Sequence, residues 1–154
     1  MREKPSLYLL SVNSAKNLLL LVFSAVLFSG GIAFAAAPET QAILNAFMAE
    51  SRKAEPNLKT FSAEEGKMFF NSKRTHTAKK EERSCTTCHT DNPARQGKTP
   101  VGKIIEPMAA SVNKERFMDN KKVEKWFKRN CVWVLERECT AKEKGNYITF
   151  MLSR

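Results

Sequence analysis

Ser84-Cys85-Thr86-Thr87-Cys88-His89 places two thiols three residues apart, with a histidine directly after the second. On one helical turn, positions i and i+3 lie on the same face, so Cys85 and Cys88 can each form a thioether to one vinyl group of a single porphyrin. His89 then falls under the iron as the proximal ligand. The stretch is read as the attachment site of one covalent haem c. A zinc site or a thioredoxin-like redox pair is the competing reading of Cys-x-x-Cys alone. A closed zinc site needs four ligands, and the remaining cysteines, Cys131 and Cys139, lie eight residues apart rather than at zinc-ribbon spacing. A redox pair has no use for the histidine.

Upstream, a weakly basic start (Arg2, Lys4, Lys16) leads into the apolar run Leu18 to Phe28, then Ser29-Gly30-Gly31 and Ala33-Phe34-Ala35. That order of regions is a secretory signal peptide. Cleavage is placed after Ala35, giving a signal peptide over residues 1–35 and one monohaem domain over residues 36–154. Cutting after Ala37 would put Pro38, which lacks an N–H and has a fixed φ, at the first mature position. The alternative is an uncleaved anchor, because residues 18–37 give 20 mostly apolar positions, just enough to span a bilayer. Gly30-Gly31 and the alanine-rich end favour cleavage. The expected location is the periplasm, an oxidising compartment that suits both haem attachment and disulfides.

The mature chain of 119 residues has room for one domain with a haem at its centre. Removing Arg2, Glu3, Lys4 and Lys16 takes the net charge from +10 to +8. An exported haem protein meets no nucleic acid, so the basic balance points instead to an acidic protein partner, with steering that weakens as salt rises. Ile43, Leu44, Phe47 and Met48 form the apolar stripe of a first helix that ends before Pro56. Ser62-Ala63-Glu64-Glu65 has capping-box form and opens a second helix, on which Gly66 and Phe70 share a face. That glycine lets another helix approach closely, a pairing that resembles the N-terminal helix of class I cytochromes c. Residues 71–83 are read as a polar, basic loop containing His76, the only histidine besides His89. Residues 90–118, with Pro93, Gly97, Pro100, Gly102 and Pro107, are irregular. Val101, Ile104, Ile105 and Met108 are expected to pack on the haem. Asp119 or Asn120 caps a third helix, whose stripe Val123, Trp126, Phe127 continues to Asn130 and would point a carboxamide at the core. Thr140-Ala141-Lys142-Glu143 is a second capping box. It starts a terminal helix that should cross the Gly66 helix.

With two cysteines assigned to the haem, Cys131 and Cys139 are an even remainder, which in an oxidising compartment implies a bridge. Closing that loop restricts the unfolded chain by about 2.5 kcal/mol in the loop-entropy account. Methionines 108, 118 and 151 all follow the haem motif and are candidate sixth ligands. Spacing alone ranks Met108 slightly ahead of Asn130, whose alternative reading is a helix-capping asparagine.

A wider pattern reverses that order. The haem motif, Gly97-Lys98-Thr99-Pro100-Val101-Gly102-Lys103, Arg116-Phe117, Val123-Glu124-Lys125-Trp126, Arg129-Asn130-Cys131 and Cys139-Thr140 together closely resemble the sphaeroides haem protein family. The resemblance implies an all-α, class I cytochrome c-like fold with long irregular haem-packing loops. It also implies ligation by His89 and by a displaceable distal Asn130, beside a Cys131–Cys139 disulfide. The asparagine leaves on reduction and the iron takes a small diatomic, oxygen or nitric oxide. Electrons come from a dihaem cytochrome c, often with a membrane cytochrome b behind it. The main departure is the hydrophobic Val132-Trp133-Val134-Leu135 between the two cysteines. The expected function is thus an electron-accepting, gas-binding periplasmic cytochrome. The alternatives are a soluble terminal oxidase or nitric-oxide-detoxifying enzyme, and a plain methionine-ligated electron carrier. Peroxidase chemistry is disfavoured, since no distal histidine or acid–base pair is evident.

Overall fold

A computed structural model describes residues 36–154, so the signal-peptide reading of residues 1–35 lies outside the described residues. Helix α1 spans Pro38–Ala54, beginning on a proline whose missing N–H is not needed at that position. It buries Ile43, Leu44 and Phe47 on one face. The chain leaves the helix at Glu55, whose N–H donates to the Ser51 carbonyl, one residue before Pro56.

Helix α2 spans Ala63–Asn71 and α5 spans Ala141–Leu152. At α5 the capping box is complete: the Glu143 N–H donates to Thr140 Oγ1 at 3.1 Å and the Thr140 N–H donates to Glu143 Oε2 at 2.8 Å. At α2 only half of the box is made within the helix, with the Glu65 N–H donating to Ser62 Oγ at 3.1 Å. Asn146 of α5 supplies the other half. Its Oδ1 accepts from the Ser62 N–H at 2.8 Å and its Nδ2 donates to Glu65 Oε2 at 2.7 Å. One buried carboxamide therefore closes the start of α2 and ties it to α5.

The two helices cross where the sequence predicts. A Cβ at Gly66 would lie 2.0 Å from the Asn146 carbonyl oxygen and 2.8 Å from Phe150 Cβ. Phe70, fully buried one turn later, packs against Tyr147 and Phe150 at ring-centroid distances of 6.0 and 5.8 Å. Tyr147 also meets Phe127 edge-on at 5.4 Å, and Phe127 meets Phe47 at 6.2 Å. The core thus joins α5 and α1 to helix α4, which spans Asn120–Leu135 and is capped by Asp119 through the Lys122 N–H at 3.0 Å.

The expected stripe of α4 is corrected. The buried stripe is Val123, Phe127, Cys131 and Val134, whereas Trp126 is 47% exposed and Asn130 is exposed beside it. Val123 and Phe127 set the core-facing direction, and Trp126 and Asn130 lie together, four residues apart, on the neighbouring strip. The helix also continues past Cys131 to Leu135, so most of the segment between the cysteines is helical rather than loop.

The polar stretches contain short ordered hairpins. Strands β1 (Arg74–Thr75) and β2 (Glu82–Arg83) pair antiparallel, as do β3 (Gly97–Lys98) and β4 (Ile104–Ile105). Two-residue strands leave no alternating pattern to read. Val101 at the second hairpin's tip and Ile104 are exposed, while Met108 packs against the aromatic core. Of the other methionines, Met151 is fully buried in α5 and Met118 is partly exposed. Among the described residues, no helix is long and apolar enough to cross a membrane.

Candidate haem site

Cys85 through His89 form a single helical turn, with α3 covering Thr86–His89. The His89 N–H donates to the Cys85 carbonyl at 3.1 Å. Ser84, which is buried, and Thr87 hold the start of this turn reciprocally. The Ser84 N–H donates to Thr87 Oγ1 at 3.0 Å and the Thr87 N–H donates to Ser84 Oγ at 3.2 Å. The small polar residues flanking the cysteines thus build the turn, and Thr90, at φ +60°, ends it. Four residues are too few for stable propagation by themselves, so the turn depends on these caps.

Cys85 and Cys88 are free thiols. Burial pushes the Cys85 thiol up to about 12, and burial raises Cys88 as well. Redox-active and zinc-binding cysteines need a lowered pKa, so this pair is the opposite of a reactive dithiol. Among the described residues, no group of three or more His, Cys, Asp or Glu side chains is arranged to hold a metal ion by itself. Burial, followed by the positive charge of Arg116, lowers the His89 imidazole to about 4. Its Nδ1 is buried without a hydrogen-bond partner. A buried polar atom left unpaired calls for an explanation. A neutral imidazole one residue after two protonated thiols has the donor chemistry that a covalently held haem requires, and the residues fit that group.

Neighbouring segments lie tightly against this turn. A Cβ at Gly97 of β3 would fall 2.1 Å from the Cys88 carbonyl oxygen and 2.9 Å from His89 Cα. Only glycine lets that strand lie on the motif. Arg116 Nε donates to the Pro107 carbonyl at 2.9 Å and its Nη2 to the Glu106 carbonyl at 2.5 Å, fixing the turn that leads into Met108. The Met108 N–H in turn donates to the Pro93 carbonyl at 2.8 Å. Burial, and after it the neighbouring Cys85, raises the Tyr147 phenol.

The second group of candidate residues is at the far end of α4. Cys131 and Cys139 are buried and joined by a disulfide, with Cα atoms 5.5 Å apart. Asn130 immediately precedes the bridge. Trp126 is bracketed by Lys125 and Arg129, whose charged groups lie 5.8 and 5.6 Å from its ring centroid. His76 is not a free loop histidine. Its Nδ1 accepts the N–H groups of Ala78 and Lys79 at 3.3 and 3.2 Å, and its Nε2 lies 3.6 Å from Glu136 Oε1. Sequence reading gave no role to Arg83, Arg116 or Glu136, three charged residues with fixed partners around the site. A basic or acidic residue in a polar stretch reads as solvated until its tertiary partners are known.

Comparison with known proteins agrees with this chemistry. A family described as a domain of unknown function (DUF1924) matches residues 56–151. Cytochrome c'' of Methylophilus methylotrophus is 40% identical over 104 residues, covering 67% of this chain and 72% of that protein. The cytochrome c-type protein SHP of Cereibacter sphaeroides is 41% identical over 92 residues, covering 60% of this chain and 70% of that protein. The crystal structure of oxidized cytochrome c'' superposes with a TM-score of 0.69 at 36% identity, covering 75% of this chain and 94% of that one. The structure of oxidized SHP, an oxygen-binding cytochrome c, gives a TM-score of 0.65 at 32% identity, covering 78% of this chain and all of that one. The chain therefore belongs to the sphaeroides haem protein family of c-type cytochromes, with an all-α, class I cytochrome c-like fold and one covalent haem c as its cofactor.

Proposed function

We propose that the protein is a periplasmic electron-accepting cytochrome that binds a small diatomic, oxygen or nitric oxide, at an iron from which Asn130 is displaced on reduction. Bound haem c would supply a one-electron couple and a coordination site for such a ligand. In this reading Cys85 and Cys88 hold the porphyrin through thioethers and His89 is the proximal ligand. The Asn130 carboxamide oxygen is the distal one. An amide oxygen is a hard, weak donor that tolerates ferric iron and matches ferrous iron poorly, whereas a thioether favours the reduced state. Asn130 is thus suited to holding the oxidised form and leaving the reduced one.

The observation that carries the reading is Asn130 itself: an exposed carboxamide on the strip it shares with Trp126, one residue before a disulfide. Methionine ligation has weaker support, because Met151 is sealed in α5 and Met108 packs against the core. SHP is an oxygen-binding cytochrome c, and haem-ligand detachment is a property of cytochrome c''. Both support a gas ligand and a switchable site here. Export through residues 1–35 and an oxidising location accord with the disulfide, and a dihaem cytochrome c, with a membrane cytochrome b behind it, is the proposed electron source.

Optical and paramagnetic-resonance spectra of the purified protein test this. Ferric wild type should be six-coordinate with no sulfur-to-iron band. Ferrous protein should be high-spin and quick to bind nitric oxide. Asn130→Ala should open the ferric site, whereas Met108→Ala should change little. Loss of the sixth ligand in Met108→Ala, with Asn130→Ala unaffected, would make the protein an ordinary electron carrier.

A further inference from the structure

Arg83 stands two residues before Cys85 and is only 4% exposed, although its neighbours Glu81 and Glu82 are exposed. A buried guanidinium is costly unless its donors are met. Its Nε and Nη2 both donate to Glu81 Oε1, the former at 2.7 Å. Its Nη1 donates to the Trp133 carbonyl at 2.9 Å, and the guanidinium lies 4.5 Å from the centroid of the Trp133 ring. Trp133 is in the last turn of α4, where carbonyls have no intrahelical donor. Arg83 therefore caps that helix end from a different part of the chain.

A second tie joins the same two elements. Glu136 ends α4 in the left-handed region, at φ +56°. Its carboxylate accepts from the Thr77 N–H at 2.9 Å and from Thr77 Oγ1 at 2.6 Å. Both ties run from the β1–β2 hairpin to positions just beyond Asn130, and the hairpin continues through Ser84 into Cys85. With Cys131 also held by its disulfide to Cys139, the last turn of α4 is tied to the haem-binding turn.

We propose that this two-point clamp, Arg83 on Trp133 and Thr77 on Glu136, sets how firmly Asn130 is held at the iron. Arg83 and Glu136 are its positioning residues. The inference rests on Asn130 being the displaceable ligand. Occupancy by a weak ligand depends on how often the protein presents it in bonding geometry, so loosening either tie lowers the effective concentration of the carboxamide without removing it.

The test uses the holoprotein with Glu136→Gln, Thr77→Val and Arg83→Lys. It reads the ferric high-spin fraction and the rate at which the low-spin form returns after rapid oxidation. Each substitution should raise the high-spin to low-spin ratio about five-fold, the effect of one hydrogen bond, and slow the return. On the Asn130→Ala background the ferric iron is already high-spin and neither readout can move, so general loss of structure is excluded instead by a retained cooperative thermal transition in each single variant. Glu136→Gln and Thr77→Val alter partly exposed groups, so they test the clamp even if Arg83→Lys fails to fold. Unchanged spin ratio and return rate in both, with Asn130→Ala high-spin, would overturn the clamp alone. Asn130→Ala remaining low-spin would instead overturn the ligand assignment on which the clamp rests.

Discussion

At the scale of single residues, the environment of each cysteine decides its chemistry. Burial raises the thiols of Cys85 and Cys88, which are not bridged to each other, whereas Cys131 and Cys139 are joined by a disulfide. Replacing Cys85 and Cys88 together with alanine should abolish covalent haem, measured as loss of the haem mass from the denatured chain. The product should be unfolded or degraded, because the porphyrin is a large share of so small a core. A folded, zinc-containing product would overturn the assignment. The haem motif was legible from sequence because its chemistry is local: three side chains on one turn. Asn130 was legible only in part. The stripe through Val123, Trp126 and Phe127 pointed it at the core, yet the buried positions run Val123, Phe127, Cys131. Periodicity defines a face to within about a residue, and Cys131, drawn inward by its bridge, settled which strip is buried. Arg83 was not legible at all, since a buried arginine and a solvated one look alike until the Trp133 carbonyl is in place.

At the scale of elements, the α2–α5 crossing and the α5 cap carry the predictions. Gly66→Ala would drive a Cβ to 2.0 Å from the Asn146 carbonyl, and backbone cannot swing aside as a flexible side chain can. The substitution should cost about 3 kcal/mol, near the upper range for overpacking, seen as a fall in Tm of the holoprotein. A change under a degree would mean that the helices separate without cost. Glu143 makes a pH prediction. Burial raises its carboxyl, but hydrogen bonds from Arg137 and from the Thr140 N–H outweigh that and hold it below the usual carboxylate range. A carboxyl with a lowered folded pKa adds stability above its unfolded pKa and loses it as pH falls through the folded value. Wild type should therefore be more stable than Glu143→Gln at neutral pH, and the gap should close below about pH 4.5, the unperturbed value for a glutamate. Equal thermal midpoints at pH 7 would remove the contribution. The crossing was predictable because a glycine and an aromatic at i, i+4 is a local signature of close approach. The exchange of half a capping box between Ser62 and Asn146 was not, because it joins residues 84 positions apart.

At the scale of the whole molecule, charge governs which partners are met. Lys121, Lys122, Lys125 and Lys128 are all exposed on α4, the helix that carries Asn130. Their acidic neighbours are few and loosely held: Asp119 lies 3.5 Å from Lys122, and Glu138 lies 3.7 Å from Lys128. Exposed pairs at such distances contribute little to stability, which leaves the positive face available for steering an acidic donor. Changing these four lysines to glutamate should slow reduction by an acidic dihaem cytochrome roughly ten-fold at low ionic strength, as expected when a complementary patch is reversed. The difference should shrink toward 0.5 M salt, since charges are screened beyond about 8 Å already at physiological ionic strength. Reversing Lys53, Lys59, Lys67 and Lys73, which are exposed away from α4 in the chain, makes the same change in net charge. It therefore separates a located docking face from the field of the whole protein. A larger slowing in the α4 variant assigns electron entry to the helix that bears the proposed distal ligand, so that donor docking and ligand release would share one element. Equal slowing in both variants would show that net charge alone sets the encounter rate and that α4 has no special part in it.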